Sequence, residues 1–370
     1  MPQAVIGIDC RLGGKQHAGI GRYIQNIVTQ VVTHTEYTWV LFFRSQDQVR
    51  EFFPNKLPKS VKVVLSPERH YTLREQTSFW WRVQRQPLAL FHTPHFNVPV
   101  LYQGKLVVTI HDLLWHQHKG SAVTTLGAGE YYLKYLMYRV VTSIACKKAD
   151  SIITPSNTIA EVVSSYYPET KEKLLSIYEG AEIASQQKQL DAYRPNKQLL
   201  YVGSLYPHKN IELVLRALQK LPDYTLTLVG SRSVFLDTVL TRAGQLGVKK
   251  QLDVRGFVPD AELFELYHSH LALIQPSTSE GFGLTGVEAL VAGGCVLASD
   301  IPIFREIYQE YAQYFDPLST ASFVQAVKNI EKKRPTLTNA QKNSLQTQFS
   351  WDKAAQQTLE VYQDVLGNTT

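Results

Sequence analysis

Short β-rich runs alternate with helix-periodic segments twice along this chain, and a polar stretch separates the two series. The first series runs through "AVIGID", "TWVLFF", "VKVVL", "KLVVTIHD" and "SIITPS". Between them lie "IGRYIQNIVTQVVTH", with Ile20, Tyr23, Ile24, Ile27, Val28 and Val31 at helical spacing, and the long "YYLKYLMYRVVTSIACKKA". The pattern restarts at "KQLLYVGSL" and continues through "YTLTLVG", "LDVRGFV", "LALIQPS" and "CVLASD", again with helical segments between. Such alternation predicts parallel sheets with helices on both faces. The stretch "GAEIASQQKQLDAYRPNK", from Gly180, is polar and weakly periodic and is read as the linker. The expectation is two doubly wound α/β halves, residues 1–185 and 186–350, facing a cleft. Ligands in such sheets bind at the carboxyl ends of strands, so the residues that follow strands deserve the closest reading.

A length of 370 residues is too great for one ordinary core, which agrees with two domains. Hydrophobic residues at 44% and charged residues at 19% describe a globular chain and exclude disordered and collagen-like classes. Cys10, Cys146 and Cys295 lie far apart in apolar runs, form no metal spacing and read as buried thiols in a reducing cytosol. "MPQAVIGIDC" reads as a first strand rather than a signal peptide. No stretch approaches the ~20 apolar residues that span a bilayer. The net charge of +6 is mild for a nucleic-acid binder, and no nucleic-acid partner is expected. The charge is uneven: residues 1–190 carry 21 Lys/Arg against 14 Asp/Glu, and the rest is nearly balanced. A basic front half either attracts an acidic acceptor or anionic head groups, or is simply a lysine-rich surface.

Four of the strand ends carry polar chemistry. After the first strand, "DCRLGGKQHAGIGRY" places Gly13, Gly14, Gly19 and Gly21 before a helix, where backbone amides can approach a ligand. It lacks the third glycine of a dinucleotide fingerprint. After "KLVVTI" come His111 and Asp112. The nearby His92, His95, His116 and His118 match no zinc spacing, so no metal site is expected, and His111 is read as a polar group facing a ligand. After "LLYVGS" stands Lys209, just before a helix that Asn210 is read as capping, where a cation meets a phosphate. After "LALIQPSTS" comes "EGFGLTGVEALVAGG". Gly281, Phe282, Gly283 and Leu284 open a helix whose unpaired amides suit a diphosphate, flanked by Glu280 and Glu288. Carboxylates accept hydrogen bonds from sugar hydroxyls, so the combination points to a nucleotide sugar.

Together these pieces resemble a retaining GT-B glycosyltransferase of the group 1, family-4-like type, which includes glycogen-synthase-like enzymes and bacterial mannosyl- and glucosyltransferases. The resemblance is carried by "GIGRY", "HTPHFNVP", "TIHDLLW", "ADSIITPS", "YVGSLYPHKNIELVLRAL", "PSTSEGFGLTGVEALVAGG", "ASDIPIFREI" and "YFDP". It implies that Gly19 and Gly21 lie near the donor phosphate and that His111 faces the transferred sugar. Lys209 would neutralise the diphosphate and Glu280 would hold sugar hydroxyls. The amides of Phe282 to Leu284 would contact phosphate, and Glu288 would hold the ribose. Ser204 stands where many relatives carry arginine, and His208 precedes the lysine where arginine is frequent, leaving Arg255 or Arg305 to supply charge. The resemblance also implies a C-terminal helix, 351–370, that returns to the first domain, and same-face substitution with no metal required. The only carboxylates at first-half strand ends that could serve as a nucleophile are Asp9 and Asp112.

The implied activity is transfer of a hexose (mannose, glucose or an N-acetylhexosamine) from a GDP- or UDP-linked donor to a glycan or lipid-linked acceptor, in the cytoplasm. Two alternatives are a catalytically silent nucleotide-sugar-binding or partner protein and another GT-B enzyme such as an epimerase or phosphorylase. The segment "HYTLREQTSFWWRVQRQ" (70–86) mixes aromatic and basic residues at helical spacing. It is either a core-packed helix or a contact for a lipid-linked acceptor or the inner membrane face.

Overall fold

The computed structural model describes residues 3–14, 17–117, 128–181, 196–230 and 235–367. The chain divides into two compact units, one of Met1–Trp115, Leu126–Gly180 and Ser350–Thr370, the other of His116–Thr125 and Ala181–Phe349. The boundary expected at 185/186 and most of the linker lie outside the described residues.

The first unit holds a parallel sheet of seven strands: β1 Val5–Asp9, β2 Thr38–Phe43, β3 Val61–Leu65, β4 Leu90–Thr93, β5 Leu106–Thr109, β6 Ser151–Thr154 and β7 Leu174–Ser176. Their order across the sheet is β3-β2-β1-β4-β5-β6-β7. The central strands are apolar on both faces because helices cover both: Ile6, Ile8, Val107, Val108, Ile152 and Ile153 are fully buried. β4 and β7, of four and three residues, are not picked out in the sequence and are defined by their pairing with β1, β5 and β6. Segment 70–86 packs one side into the core and leaves Tyr71, Leu73 and Trp81 exposed. It is a π-turn, Glu75–Phe79, running into the helix Trp80–Gln84, with Phe79 and Val83 buried among Phe42, Phe91 and Leu106. Two of its basic residues are engaged locally, Arg82 with Glu68 at 3.0 Å and Arg85 stacked 3.5 Å over the Trp81 ring.

The C-terminal helix, Trp351–Leu366, starts at the Ser350 cap and stops at Gly367 in the left-handed region (φ 78°). It packs in the first unit on the helix Ala18–Val31. Tyr362 there meets His92 Nδ1 at 2.6 Å, and Trp351 lies edge-on to Tyr23.

The second unit is a parallel sheet of β8 Gln198–Val202, β9 Thr225–Val229, β10 Leu252–Gly256, β11 Ala272–Gln275, β12 Val296–Ser299 and β13 Gln313–Phe315, in the order β10-β9-β8-β11-β12-β13. Numbered within the unit this is 3-2-1-4-5-6, and the winding reverses between β8 and β11. Leu199, Tyr201, Leu226, Ile274 and Leu297 form its core with Val214, Leu218, Phe323 and Val327 from helices. Both units are therefore the doubly wound halves the alternation predicts. The three cysteines are free and buried; burial pushes the Cys146 and Cys295 thiols up to about 12, and Cys10 is raised as well.

Candidate functional site

In the second unit the strand order reverses between β8 and β11, the place where doubly wound sheets open a crevice at their carboxyl ends. The loops leaving these two strands are bonded together, since Thr278 N donates to the His208 carbonyl at 2.8 Å. On one loop Pro207–Lys209 makes a single 3₁₀ turn, and on the other Ser277 and Glu280 follow β11. Lys209 Nζ and Ser277 Oγ both donate to Glu280 Oε1, at 2.6 and 2.7 Å. Burial alone would raise the Glu280 carboxyl, but Lys209, Ser277 and His208 together hold it below the usual carboxylate range. Oε2 of Glu280 takes no protein donor among the described residues, so the carboxylate keeps acceptor capacity for a ligand hydroxyl.

Beside this pair the chain turns into the helix Leu284–Val291. The glycine–aromatic–glycine sequence has separate physical reasons at each position. Phe282 is buried and lies edge-on to Phe349 at 5.7 Å, which anchors the loop. Gly283 sits at φ 93°, and a Cβ there would strike the Tyr308 hydroxyl. Tyr308 stacks on Phe304 and donates to the Gly283 carbonyl at 2.6 Å, so the turn is braced from the next helix, Pro302–Tyr308. The amides of Gly281, Gly283 and Leu284 have no protein acceptor among the described residues, as expected where a helix begins. Unpaired amides, the helix dipole and Lys209 give this loop the features that an anion such as a diphosphate requires. Gly283→Ala combines strained backbone with a clash and is expected to lower stability by about 1–3 kcal/mol, read by urea unfolding. An unchanged midpoint would show that the turn is not held as described.

The other expected residues of this unit fall nearby with different attachments. Glu288 is buried in the helix, and its Oε2 accepts the Tyr267 hydroxyl at 3.0 Å; no bond joins it to Glu280 among the described residues. Ser204 follows β8 and accepts the Tyr201 hydroxyl through its carbonyl. Asn210 is not a side-chain cap: it takes the left-handed conformation (φ 57°), and its amide donates to the Pro317 carbonyl at 2.9 Å. Arg255 and Arg305 are held by carboxylates of their own, Asp253 at 2.8 Å and Asp300 at 2.6 and 2.8 Å. Ser277, Tyr267 and Tyr308 escape sequence reading. Ser277 alone had a signal, its place three residues before Glu280 at a strand end.

In the first unit His111 follows β5 and is nearly buried. Its Nδ1 lies 3.2 Å from Glu179 Oε1 and its Nε2 3.2 Å from the Pro94 carbonyl, with Tyr23 edge-on at 4.6 Å. Both partners are acceptors, so a neutral ring serves one at a time. Glu179 is thus a site neighbour that sequence reading did not single out. Gly21 is required for packing, since a Cβ would strike the Gly14 carbonyl, whereas Gly19 faces open space. His92 is engaged by Tyr362 and Thr109, and burial lowers its pKa to about 3; burial also lowers His95, whose ring meets the Asn97 amide and Tyr71. His118 lies outside the described residues. One trio of potential metal ligands occurs among the described residues, Asp9, His70 and Glu75. Its counter-charge is the Arg11 guanidinium, 2.7 Å from each carboxylate. Asp112 accepts the Leu114 amide at 3.0 Å.

Comparison with known proteins bears on the family and the fold. The family model described as Glycosyl transferases group 1 matches residues 182–347, and that described as Glycosyltransferase Family 4 matches residues 17–184. The O-antigen chain mannosyltransferase RfbU of Salmonella typhimurium is 28% identical over 65% of this chain, a match spanning 64% of that protein. The O-antigen chain mannosyltransferase B of Escherichia coli is 24% identical over 93% of this chain and 95% of its own length. Sucrose-phosphate synthase from Thermosynechococcus elongatus superposes with a TM-score of 0.73 at 17% identity, covering 99% of this chain and 100% of that one. With the two family models meeting in the linker and the two doubly wound sheets in place, the chain belongs to the group 1 glycosyl transferases of the GT-B fold.

Proposed function

We propose that this glycosyltransferase moves a hexosyl group from a nucleoside diphosphate sugar to a glycan or lipid-linked acceptor with retention of anomeric configuration. The observation that carries this reading is the Lys209–Glu280–Ser277 cluster beside the unpaired amides of Gly281, Gly283 and Leu284. The diphosphate lies on those amides with Lys209 against its charge, and Glu280 Oε2 accepts hydroxyls of the transferred sugar. Glu288 accepts the ribose hydroxyls. Positive charge at the leaving group comes from Lys209 and the helix dipole, so the chemistry requires no metal. The bond from the anomeric carbon to the phosphate oxygen breaks and the bond to the acceptor oxygen forms on the same face. The acceptor proton passes to the departing phosphate oxygen. This fits the state of the first unit's carboxylates, because Asp9 is buried against Arg11 and Asp112 is bonded to a backbone amide. The two mannosyltransferase relatives favour mannose, hence a GDP-linked donor, ahead of UDP-linked glucose or its N-acetyl relative. The cytoplasm is the proposed location.

The test is thermal stability against UDP, GDP, ADP and their sugars. A ligand at a hundredfold excess over its Kd stabilises the folded form by about 2.7 kcal/mol. One nucleotide series should raise Tm, and Glu288→Ala should abolish that rise. No shift with any of them would leave the chain without a donor site and sink the transferase reading. Product analysis then separates transfer from epimerisation or phosphorolysis.

A further inference from the structure

Tyr71 carries a bulky side chain on a left-handed backbone, at φ 62°. That conformation is costly for a residue with a Cβ and persists only where the surroundings enforce it. Glu75 enforces it. Its Oε2 accepts the Tyr71 amide at 2.9 Å and the Asn97 side-chain amide, while its Oε1 accepts Arg11 at 2.7 Å. The buried Asp9–Arg11–Glu75 cluster therefore holds one strained tyrosine in place. Backbone strain of this kind gathers at ligand sites.

The position agrees with a ligand site. In the seven-stranded sheet the winding reverses between β1 and β4, so the first unit has a switch point of its own at their carboxyl ends. Asp9 ends β1, His95 follows β4, and Tyr71 arrives beside them from the segment after β3. Tyr71 is 56% exposed although its hydroxyl meets His95. The rings of His70, His95 and Phe96 stand 6.0–6.4 Å from it at 47–82°, so none is stacked face to face on it.

The hydrogen bonding around the ring is also incomplete. Burial keeps His95 neutral, and its Nδ1 accepts the Asn97 backbone amide at 3.3 Å. The His95 proton is then on Nε2 and is donated to the Tyr71 oxygen. That leaves the Tyr71 O–H without an acceptor among the described residues. His70 turns Nε2 toward Asp9 and Glu75, 3.6 and 3.7 Å away, and its Nδ1 has no protein partner among the described residues.

An aromatic face beside a hydroxyl donor and a ring nitrogen acceptor matches one side of a pyranose. The sugar's C–H groups lie against the negative face of the ring, and its hydroxyls exchange hydrogen bonds with the polar groups at the rim. We infer that Tyr71, with His70, forms a subsite for a pyranose unit of a glycan acceptor. The sugar's role as acceptor rests on the proposed transfer reaction, whereas its contact with Tyr71 is measured without any donor.

The experiment is saturation-transfer NMR on the full chain without nucleotide. The probes are methyl α-mannopyranoside, methyl α-glucopyranoside and N-acetylglucosamine. At least one should receive saturation at the C–H protons of one ring face. Tyr71→Ala should reduce that transfer about fivefold or more, and Tyr71→Phe, which keeps the face but not the donor, by less. Tyr71→Gly should abolish it with a Tm above that of Tyr71→Ala, because glycine adopts the left-handed backbone freely. This separates lost contact from lost fold. Glu280→Gln should leave the transfer in place. No transfer to any probe, or equal transfer in the Tyr71 variants, overturns the inference. So does a signal that only Glu280→Gln removes, which would assign the sugar to the donor loop. A rise in Tm with nucleotide beside such a result leaves the transferase reading standing, and sugar contact at Tyr71 with no nucleotide response sinks that reading alone.

Discussion

Lys209→Ala is expected to lower kcat/KM for sugar transfer by about 10²–10³, the ~2.7–4 kcal/mol typical of losing one fixed donor to a developing charge. Lys209 is joined to Glu280 at 2.6 Å and stands beside amides without protein partners. In the proposed binding mode its ammonium is held ready where a leaving diphosphate gains charge, and it needs little rearrangement to act. Lys209→Arg keeps the charge but replaces a point donor with a planar fork in a half-buried loop, so only part of the activity should return. Glu280→Gln keeps the shape while removing the charge that Lys209 faces. Because the two side chains share one bond, Lys209→Ala/Glu280→Gln should cost less than the sum of the single changes. The assay uses whichever nucleotide sugar raises Tm most. Activity within about twofold of wild type in Lys209→Ala, with Tm unchanged, would remove Lys209 from the chemistry.

How much of this site could be read in the sequence follows from how local each feature is. Glu280, Gly281, Gly283, Leu284 and Lys209 were legible because strand, turn glycine and helix start are written in consecutive residues. The alternation of strands and helices carried the fold for the same reason. Tyr308 and Tyr267 were not legible: they reach the loop and Glu288 from 25 and 21 residues away, and only packing brings them there. Asn210 shows the opposite failure. Its local signal for a cap was plausible, yet the Pro317 carbonyl, 107 residues on, takes its amide instead. Strands β4, β7 and β13 carry no clear local signal, and their pairing with neighbouring strands defines them. The helix Ala128–Lys148 lies in between, since its apolar residues are plain in the sequence and only the fold tells which side is covered.

Arg11→Met is expected to be the most destabilising single change outside the candidate donor site, at about 3–5 kcal/mol. Arg11 is fully buried and binds Asp9 with two nitrogens, at 2.9 and 2.7 Å. It also donates to Glu75 at 2.7 Å and to the Glu68 carbonyl at 3.1 Å, and its guanidinium lies 3.4 Å over the Phe79 ring. Burial opposes the ionised form of Asp9, but Arg11 and His70 overcome it and hold the carboxyl well below the usual range. In the wild type this contribution is present above the ordinary carboxylate pKa of 3.8 and is lost as pH falls through the depressed folded value. Removing the guanidinium leaves Asp9 buried without its main counter-charge, and burial then raises its folded pKa above the unfolded one. The variant's folded state binds the extra proton, so its deficit is largest at neutral pH and shrinks on acidification toward pH ~4. Replacing the whole cluster, with Asp9→Asn and Glu75→Gln added, should recover part of the loss, because unpaired buried charge is what costs most. Urea unfolding at several pH values checks both statements. A deficit in Arg11→Met that stays constant with pH would mean that lost packing against Phe79, rather than stranded charge, is its cause.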